Sequence, residues 1–172
     1  MRRLLQTLRR SEDGNATVEF VLLFPALITL FLMVVETGVL MTRGVMLDRA
    51  VDIAMRQLRL GTLDPMTPAG LKSAICSNAV IIPDCTNVLT VELRPISTDT
   101  WTPLGGSATC INRNENIDPV LEFTPGITNE MMLVRVCAKF DPFFPSGQLA
   151  AQIATEDGGY ALVAMSAYVN EP

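Results

Sequence analysis

The most pronounced pattern in the chain is a long apolar run close to its N-terminus. Residues 20–35 carry no charge, and residues 37–42, which follow Glu36, are again uncharged. A helix over residues 20–42 would be about 34 Å long at the α-helical rise, whereas the hydrocarbon core of a bilayer is roughly 30 Å thick. The pattern therefore predicts a membrane-spanning helix, with a slight kink at Pro25 of the kind that membrane helices tolerate.

The next segment, residues 44–60, has the periodicity of an amphipathic helix. Its apolar side chains recur at the intervals that define one helical face. They are Leu47, Ala50, Val51, Ala54, Met55 and Leu58. Gly61 is suited to the C-cap. We therefore expect one long N-terminal helix whose first half lies in lipid and whose second half packs its apolar face on a globular head.

Beyond residue 61 the pattern changes to short elements separated by turns. Thr67 and Pro68 are suited to the N-cap and first position of a short helix that extends to about Ile75. Runs of alternating or β-branched residues then predict strands. The strands are expected at residues 87–96, 129–140 and 160–169, with residues 118–123 as a further short candidate. These elements predict an α+β fold in which the long helix packs on a small antiparallel-sheet head.

The four cysteines all follow the apolar run. They are Cys76, Cys85, Cys110 and Cys137. The absence of a CxxC pair argues against a thioredoxin-like or zinc-ribbon site, so two structural disulfides in an oxidising compartment are the better interpretation. Three connectivities are open, of which we favour Cys76–Cys85 with Cys110–Cys137 because each joins near neighbours. The alternative is four free buried thiols in a cytoplasmic domain.

Orientation in the membrane follows from the cysteines. Arginines flank the apolar run on both sides, so the distribution of basic residues does not decide the topology. Disulfides place the head outside the cytoplasm and leave the N-terminal leader inside. A cleaved secretory signal is the alternative, but residues 34–39 lack the small-residue pattern that signal peptidase requires. We expect a retained, single-pass anchor with the head outside the cytoplasm.

The composition argues against several classes of catalytic and binding site. The chain has no histidine, which excludes Ser-His-Asp and Cys-His catalysis and zinc sites that need imidazole. The net charge of −5 without a basic patch argues against nucleic acid as partner. No phosphate-binding glycine motif occurs. The acids Glu115, Asp118 and Glu122 are interpreted as solvated surface rather than a metal or acid–base cluster. No enzyme activity, cofactor or metal is therefore predicted.

A glycine followed five residues later by a glutamate opens the apolar run: Gly14, Asn15 and then Glu19-Phe20. After a short basic leader, this pattern resembles prepilins and pseudopilins. The run VLLFPALITLFLMVVETGVL and the continuation AVDIAMRQLRLG resemble, more closely, the TadE/TadG-like pseudopilins of tight-adherence (Tad, Flp-type) pili. The C-terminal Asn-Glu-Pro also resembles the ending of that family.

The resemblance implies a mechanism, a set of partners and a location in a bacterial inner membrane with the head in the periplasm. A prepilin peptidase would cut after Gly14, and the mature chain would begin at Asn15 and keep its helix. The chain would act as a minor pseudopilin in assembly or priming, with other pilins or pseudopilins, the Tad inner-membrane platform and membrane lipid as partners. The chain then divides into a removed leader at residues 1–14, a transmembrane helix at 15–42, its amphipathic continuation at 43–61 and a head at 62–172.

Two glutamates bracket the apolar run. On the resemblance, Glu19 (with Phe20 beside it) sets the register of assembly, because its carboxylate would pair with the new α-amine of Asn15 on a neighbouring subunit. The alternative is solvation among headgroups. Glu36 lies seventeen residues further on, about 25 Å along a helix. We expect Glu36 to be solvated at the outer interface, with an intersubunit contact as the alternative.

Two other functions compete with the pseudopilin hypothesis. A membrane-tethered periplasmic binding module would need a helix only as a tether and would require neither Gly14 nor Glu19. A membrane-anchored hydrolase using carboxylates would require two acids that converge in a cleft.

Overall fold

The N-terminal part of the molecule is a single long helix. The computed structural model describes residues 15–101, 108–114, 119, 121–145, 147, 152 and 159–171. Helix α1 spans Asn15–Arg59 and continues through Pro25 without a break. Its threonine hydroxyls donate to carbonyls one turn earlier, as Thr37 Oγ1 does to Met33 at 2.8 Å. These hydroxyl groups are thus satisfied within the helix, as a lipid environment requires.

Helix α1 ends in a Schellman motif centred on Gly61, as its C-cap prediction implied. Gly61 adopts a left-handed φ of 64°. Its N–H donates to the Leu58 carbonyl at 3.0 Å, and the Thr62 N–H donates to the Gln57 carbonyl at 3.0 Å. These two bonds satisfy carbonyls that the helix end leaves open.

Two short helices follow. Helix α2 spans Pro68–Asn78, and its N-cap Thr67 accepts a hydrogen bond from the Gly70 N–H. It runs three residues past the predicted end at Ile75, and the Asn78 amide donates back to the Ala74 carbonyl. Helix α3, Cys85–Val88, is a single turn that the sequence pattern did not predict. Because α3 occupies these residues, the first strand begins later than expected.

The sheet has three antiparallel strands in the order β1-β2-β3. They are β1 (Leu89–Pro95), β2 (Met131–Phe140) and β3 (Tyr160–Val169). Strand β3 has its predicted bounds, whereas β2 starts two residues late because Asn129 has a left-handed φ of 64°. The fourth candidate strand does not form in the described residues: Phe123 makes only an isolated bridge to Leu93. The predicted α+β fold is confirmed.

The core lies between α1 and one face of the sheet. All six apolar positions predicted for the inner face of α1 are buried, with at most 5% of their surface exposed. They belong to one buried cluster that also contains residues of α2, β1 and β3 and alternate residues of β2, which are Met132, Val134, Val136, Ala138 and Phe140. Each fully buried Val, Leu, Phe or Met side chain in this cluster stabilises the fold by about 1.5–3 kcal/mol relative to an exposed one. The amphipathic half of the helix is therefore an integral part of the head.

Two disulfides have the connectivity that the sequence favoured. Cys76–Cys85 joins α2 to α3, with a Cα–Cα distance of 5.6 Å. Cys110–Cys137 joins the segment at residues 108–114 to β2, with a Cα–Cα distance of 5.3 Å. Cys137 alternates with the core residues of β2, so this segment covers the sheet face opposite α1. Strand β2 is consequently buried on both faces.

Candidate membrane anchor and its attachment to the head

The part of α1 that precedes Glu36 is largely exposed. Side chains at residues 16–31 are all exposed, and those at 32–34 are at least partly so. Large apolar side chains account for most of this surface, for example Leu22 at 72% and Phe31 at 60% exposure. Residues 16–34 extend about 28 Å along the helix. A surface of this kind is unfavourable in water, and the helix fits a single-pass membrane protein.

The residues predicted for processing and register lie at the start of this anchor. Gly14 lies outside the described residues, and α1 begins at Asn15. Glu19 is exposed, and its carboxylate has no partner among the described residues. The Phe20 ring is exposed and stacks on the Phe24 ring with centroids 5.0 Å apart. The geometry leaves Glu19 available to another molecule, and its proposed pairing with an α-amine remains a prediction.

Glu36 contradicts the expectation of a solvated residue. Only 3% of its surface is exposed. Its Oε1 accepts a hydrogen bond from the Phe143 N–H and its Oε2 from the Phe144 N–H, both at 2.8 Å. Two backbone amides thus satisfy the carboxylate within the same chain, which also replaces the alternative of an intersubunit contact. The two hydrogen bonds offset the desolvation cost of the Glu36 carboxylate, because hydrogen bonds to a charged acceptor are among the strongest that a protein makes.

Arg43 attaches the helix to the head two turns further on. Its Nη1 donates to the Tyr160 hydroxyl at 2.7 Å and lies 3.4 Å from the Asp141 carbonyl. Its guanidinium carbon lies 5.1 Å from the centroid of the Phe140 ring, in cation–π range. The side chain therefore holds the end of β2 and the start of β3 together against α1.

Arg59 attaches the other end of the helix to the C-terminal residues of the chain. Its Nε donates to Glu171 Oε1 at 2.8 Å. The preceding Asn170 donates from its side chain to the Gly126 carbonyl at 2.8 Å, and its backbone pairs with Asn129 and Glu130. The Asn-Glu part of the C-terminal ending therefore has a structural role.

The three attachments define the polarity of the molecule. Glu36 and Arg43 contact the loop and strand ends at residues 140–144 and 160, whereas Arg59 contacts residue 171. From Glu36 to Arg59 the helix rises about 34 Å. The sheet therefore lies along the helix, with the β2–β3 connection at the membrane end and the C-terminal residues at the distal end.

Catalytic and metal chemistry finds no support in the part of the chain that the structure describes. No group of three or more acids or cysteines there could hold a metal ion. Of the predicted surface acids, Glu122 is exposed, as expected, while Glu115 and Asp118 lie outside the described residues. Burial raises the pKa of Tyr168 to about 12. Its hydroxyl is buried without a hydrogen-bond partner in the described structure, so desolvation alone raises this pKa.

Sequence reasoning missed the roles of Glu36 and Arg43. A carboxylate within an apolar run signals that a partner is needed, because an unpaired one is costly in lipid. Its partners, however, are backbone amides 107 and 108 residues away. Backbone donors have no residue-type signature, and no local pattern could have identified them.

Comparison with known proteins agrees with the N-terminal features. Searches of curated proteins and of solved structures found no match. Residues 14–56 match the family model described as TadE-like protein. The match begins at the glycine of the predicted processing site and ends within the amphipathic half of α1. It confirms the resemblance noted from the sequence: this N-terminal portion is similar to the TadE-like family.

Proposed function

We propose that the chain is a minor pseudopilin of a Tad pilus system, processed after Gly14 and retained by its helix in the inner membrane. The TadE-like match points to a protein associated with such pili. The observation that carries the finer proposal is the exposed surface of α1 at residues 16–31. Every side chain in this range is exposed, and large apolar side chains form most of the surface. Such a surface suits both lipid and neighbouring helices.

Processing would create the group that Glu19 needs. Cleavage after Gly14 would place an α-amine four residues before Glu19 in sequence, about 6 Å along the axis of a helix. In a bundle of parallel subunits offset along that axis, the amine of one chain would lie beside the Glu19 carboxylate of the next. Pairing would offset the cost of a carboxylate at the bilayer edge and thereby fix the stagger.

The two disulfides support a periplasmic head. Disulfides persist in oxidising compartments such as the periplasm and are rare in the cytosol. We propose no catalytic role and no nucleic-acid partner. The proposed partners are the prepilin peptidase, other pilins or pseudopilins, and the assembly platform in the inner membrane.

The decisive measurement is the intact mass of the protein purified from native membranes, beside a Gly14→Leu variant. The wild type should lack residues 1–14, and the variant should retain them because a side chain blocks close approach of the peptidase to the backbone. Gly38→Leu is the matched control, since a Cβ at Gly38 meets nothing within 4 Å. A full-length wild-type chain would leave only a membrane-tethered module.

The role of Glu19 is tested separately by piliation. Glu19→Ala should insert into membranes normally but fail to support pilus assembly, whereas Glu19→Asp keeps the charge and should retain part of the function. Normal piliation of the alanine variant would exclude pairing as the source of register without affecting the processing result.

A further inference from the structure

The spacing of two carboxylates constrains the depth of the helix in the membrane. Glu19 and Glu36 are seventeen residues apart on one continuous helix, which is about 25 Å. The hydrocarbon core is roughly 30 Å thick, and tilting the helix shortens the distance along the membrane normal further. Without local thinning of the bilayer, the two carboxylates cannot both lie outside the hydrocarbon.

The hydrogen bonds show which carboxylate tolerates the deeper position. Glu36 is buried by its own chain and accepts two backbone N–H groups. Glu19 is exposed and has no partner among the described residues. Desolvation costs less for the carboxylate that is already satisfied. The favoured arrangement keeps Glu19 at headgroup level on one side and places Glu36 about 5 Å or more inside the hydrocarbon boundary on the other.

Whatever binds Glu36 must then reach the same depth. The loop that follows β2, residues 141–145, supplies both N–H donors. Phe143 in this loop has 58% of its surface exposed, and its ring meets the Phe144 ring edge-on at a centroid distance of 5.0 Å. Exposed aromatic rings are unfavourable in water but suited to the boundary between headgroups and acyl chains.

A cavity beside this loop has a composition that suits headgroup level. Its volume is about 410 Å³. The charged residues that line it are three cations and two carboxylates, namely Arg43, Arg113, Lys139, Asp84 and Asp141. The Nε of Arg43 is buried and makes no hydrogen bond within the described structure. Arg113 forms an ion pair with Asp141 of the loop. The lining as a whole keeps one cation in excess of its carboxylates beside the aromatic residues of the loop, which suits the phosphate level of a bilayer.

We infer that the loop at residues 141–145 is a second membrane contact, in which Phe143 and Phe144 enter the leaflet on the side of the head. Glu36 ties this loop to the spanning helix, so the head stands at a fixed height and orientation on the lipid surface. The hydrogen bond from the Phe143 N–H to Glu36 places this residue next to the end of the exposed apolar stretch of α1, where Val34 is 63% exposed, and this proximity identifies the occupant as lipid. The inference depends on the membrane-spanning part of the proposed function and not on a role in pili.

Tryptophan fluorescence in proteoliposomes tests this inference, since the chain has a single tryptophan, Trp101. In a Trp101→Phe background, Phe143→Trp reports the loop. Ile127→Trp is the matched control, because it is also exposed, at 74%, but lies near the distal end of the sheet. The full-length protein is reconstituted with phosphatidylcholines brominated either near the headgroup or near the methyl end of the acyl chain.

The expected result is a blue-shifted emission at position 143 that the shallow bromines quench more than the deep ones, with no quenching at position 127. Adding Glu36→Gln should weaken the quenching at position 143, because the amide nitrogen cannot accept an N–H. Equal quenching at both positions, or none at position 143, would overturn the inference. Alkaline carbonate extraction of the same vesicles separates the causes: release of the protein would refute the spanning helix itself, whereas a retained but unquenched protein would refute only the loop contact.

Discussion

The contact between Glu36 and the loop at residues 141–145 allows a quantitative prediction. Glu36→Ala removes the acceptor for two N–H groups, those of Phe143 and Phe144. A hydrogen bond to a charged acceptor contributes about 1.5–3 kcal/mol net, so the two together contribute about 3–6 kcal/mol. The loss of the buried carboxylate recovers part of its desolvation cost. We expect the loop to be destabilised by about 2–4 kcal/mol.

Hydrogen exchange measured by mass spectrometry is the appropriate assay because the destabilisation is local. Since 1.4 kcal/mol corresponds to a factor of ten, exchange of the two amides should accelerate roughly 30- to 900-fold. The core strand β2 should keep its protection. Thr37→Ala is the control on the adjacent helix position, since this hydroxyl bonds only within α1.

The reasoning would be refuted by loop exchange that is the same in Glu36→Ala and Thr37→Ala. Glu36→Gln should lie between wild type and Glu36→Ala, because one carbonyl oxygen can still accept. A uniform loss of protection across β2 would show instead that Glu36 supports the whole head, and the local interpretation would then be wrong.

Two further predictions concern the head. Replacing Cys110 by serine should destabilise the head by about 3.5 kcal/mol, and replacing Cys76 by serine should destabilise it by about 2.6 kcal/mol. The difference arises because the Cys110–Cys137 disulfide closes the larger loop and so restricts the unfolded chain more. Thermal unfolding in detergent measures both effects, and a reversed order would contradict the loop-entropy argument. The raised pKa of Tyr168, about 12 when folded against 10.0 unfolded, means that ionisation favours the unfolded state. Its stability contribution is complete below pH 10 and is lost as pH rises towards 12. Tyr168→Phe should remove this alkaline loss, and an unchanged pH profile would show that another group causes it.

Patterns within a few turns or strands were sufficient to predict most secondary structure. The 3.6-residue period predicted the buried face of α1 correctly, from Leu47 to Leu58. The alternation and β-branching of residues 160–169 predicted β3 with its bounds. Short sequence separation favoured the correct disulfide partners, Cys76 with Cys85 and Cys110 with Cys137. In each case the controlling interaction is local or repeats with a fixed period, so it is visible in the order of residues.

The candidate site was predictable only in part. The glycine–glutamate spacing and the apolar run indicated a TadE-like N-terminus, and the family match over residues 14–56 agrees. The burial of Glu36 and the anchoring contacts of Arg43 were decided by the tertiary structure. Both depend on where the end of β2 meets α1, about a hundred residues away in sequence.

The same distinction explains β2 and the orientation of the head. The sequence pattern predicted a strand at β2, but the disulfide of Cys137 brings a covering segment to it that no pattern within the strand records. The sequence determined that a membrane helix continues into a head, because apolarity and helical period are properties of neighbouring residues. Only the folded chain determined which loop that helix holds through Glu36, because hydrogen bonds from backbone amides depend on position in space and not on residue type.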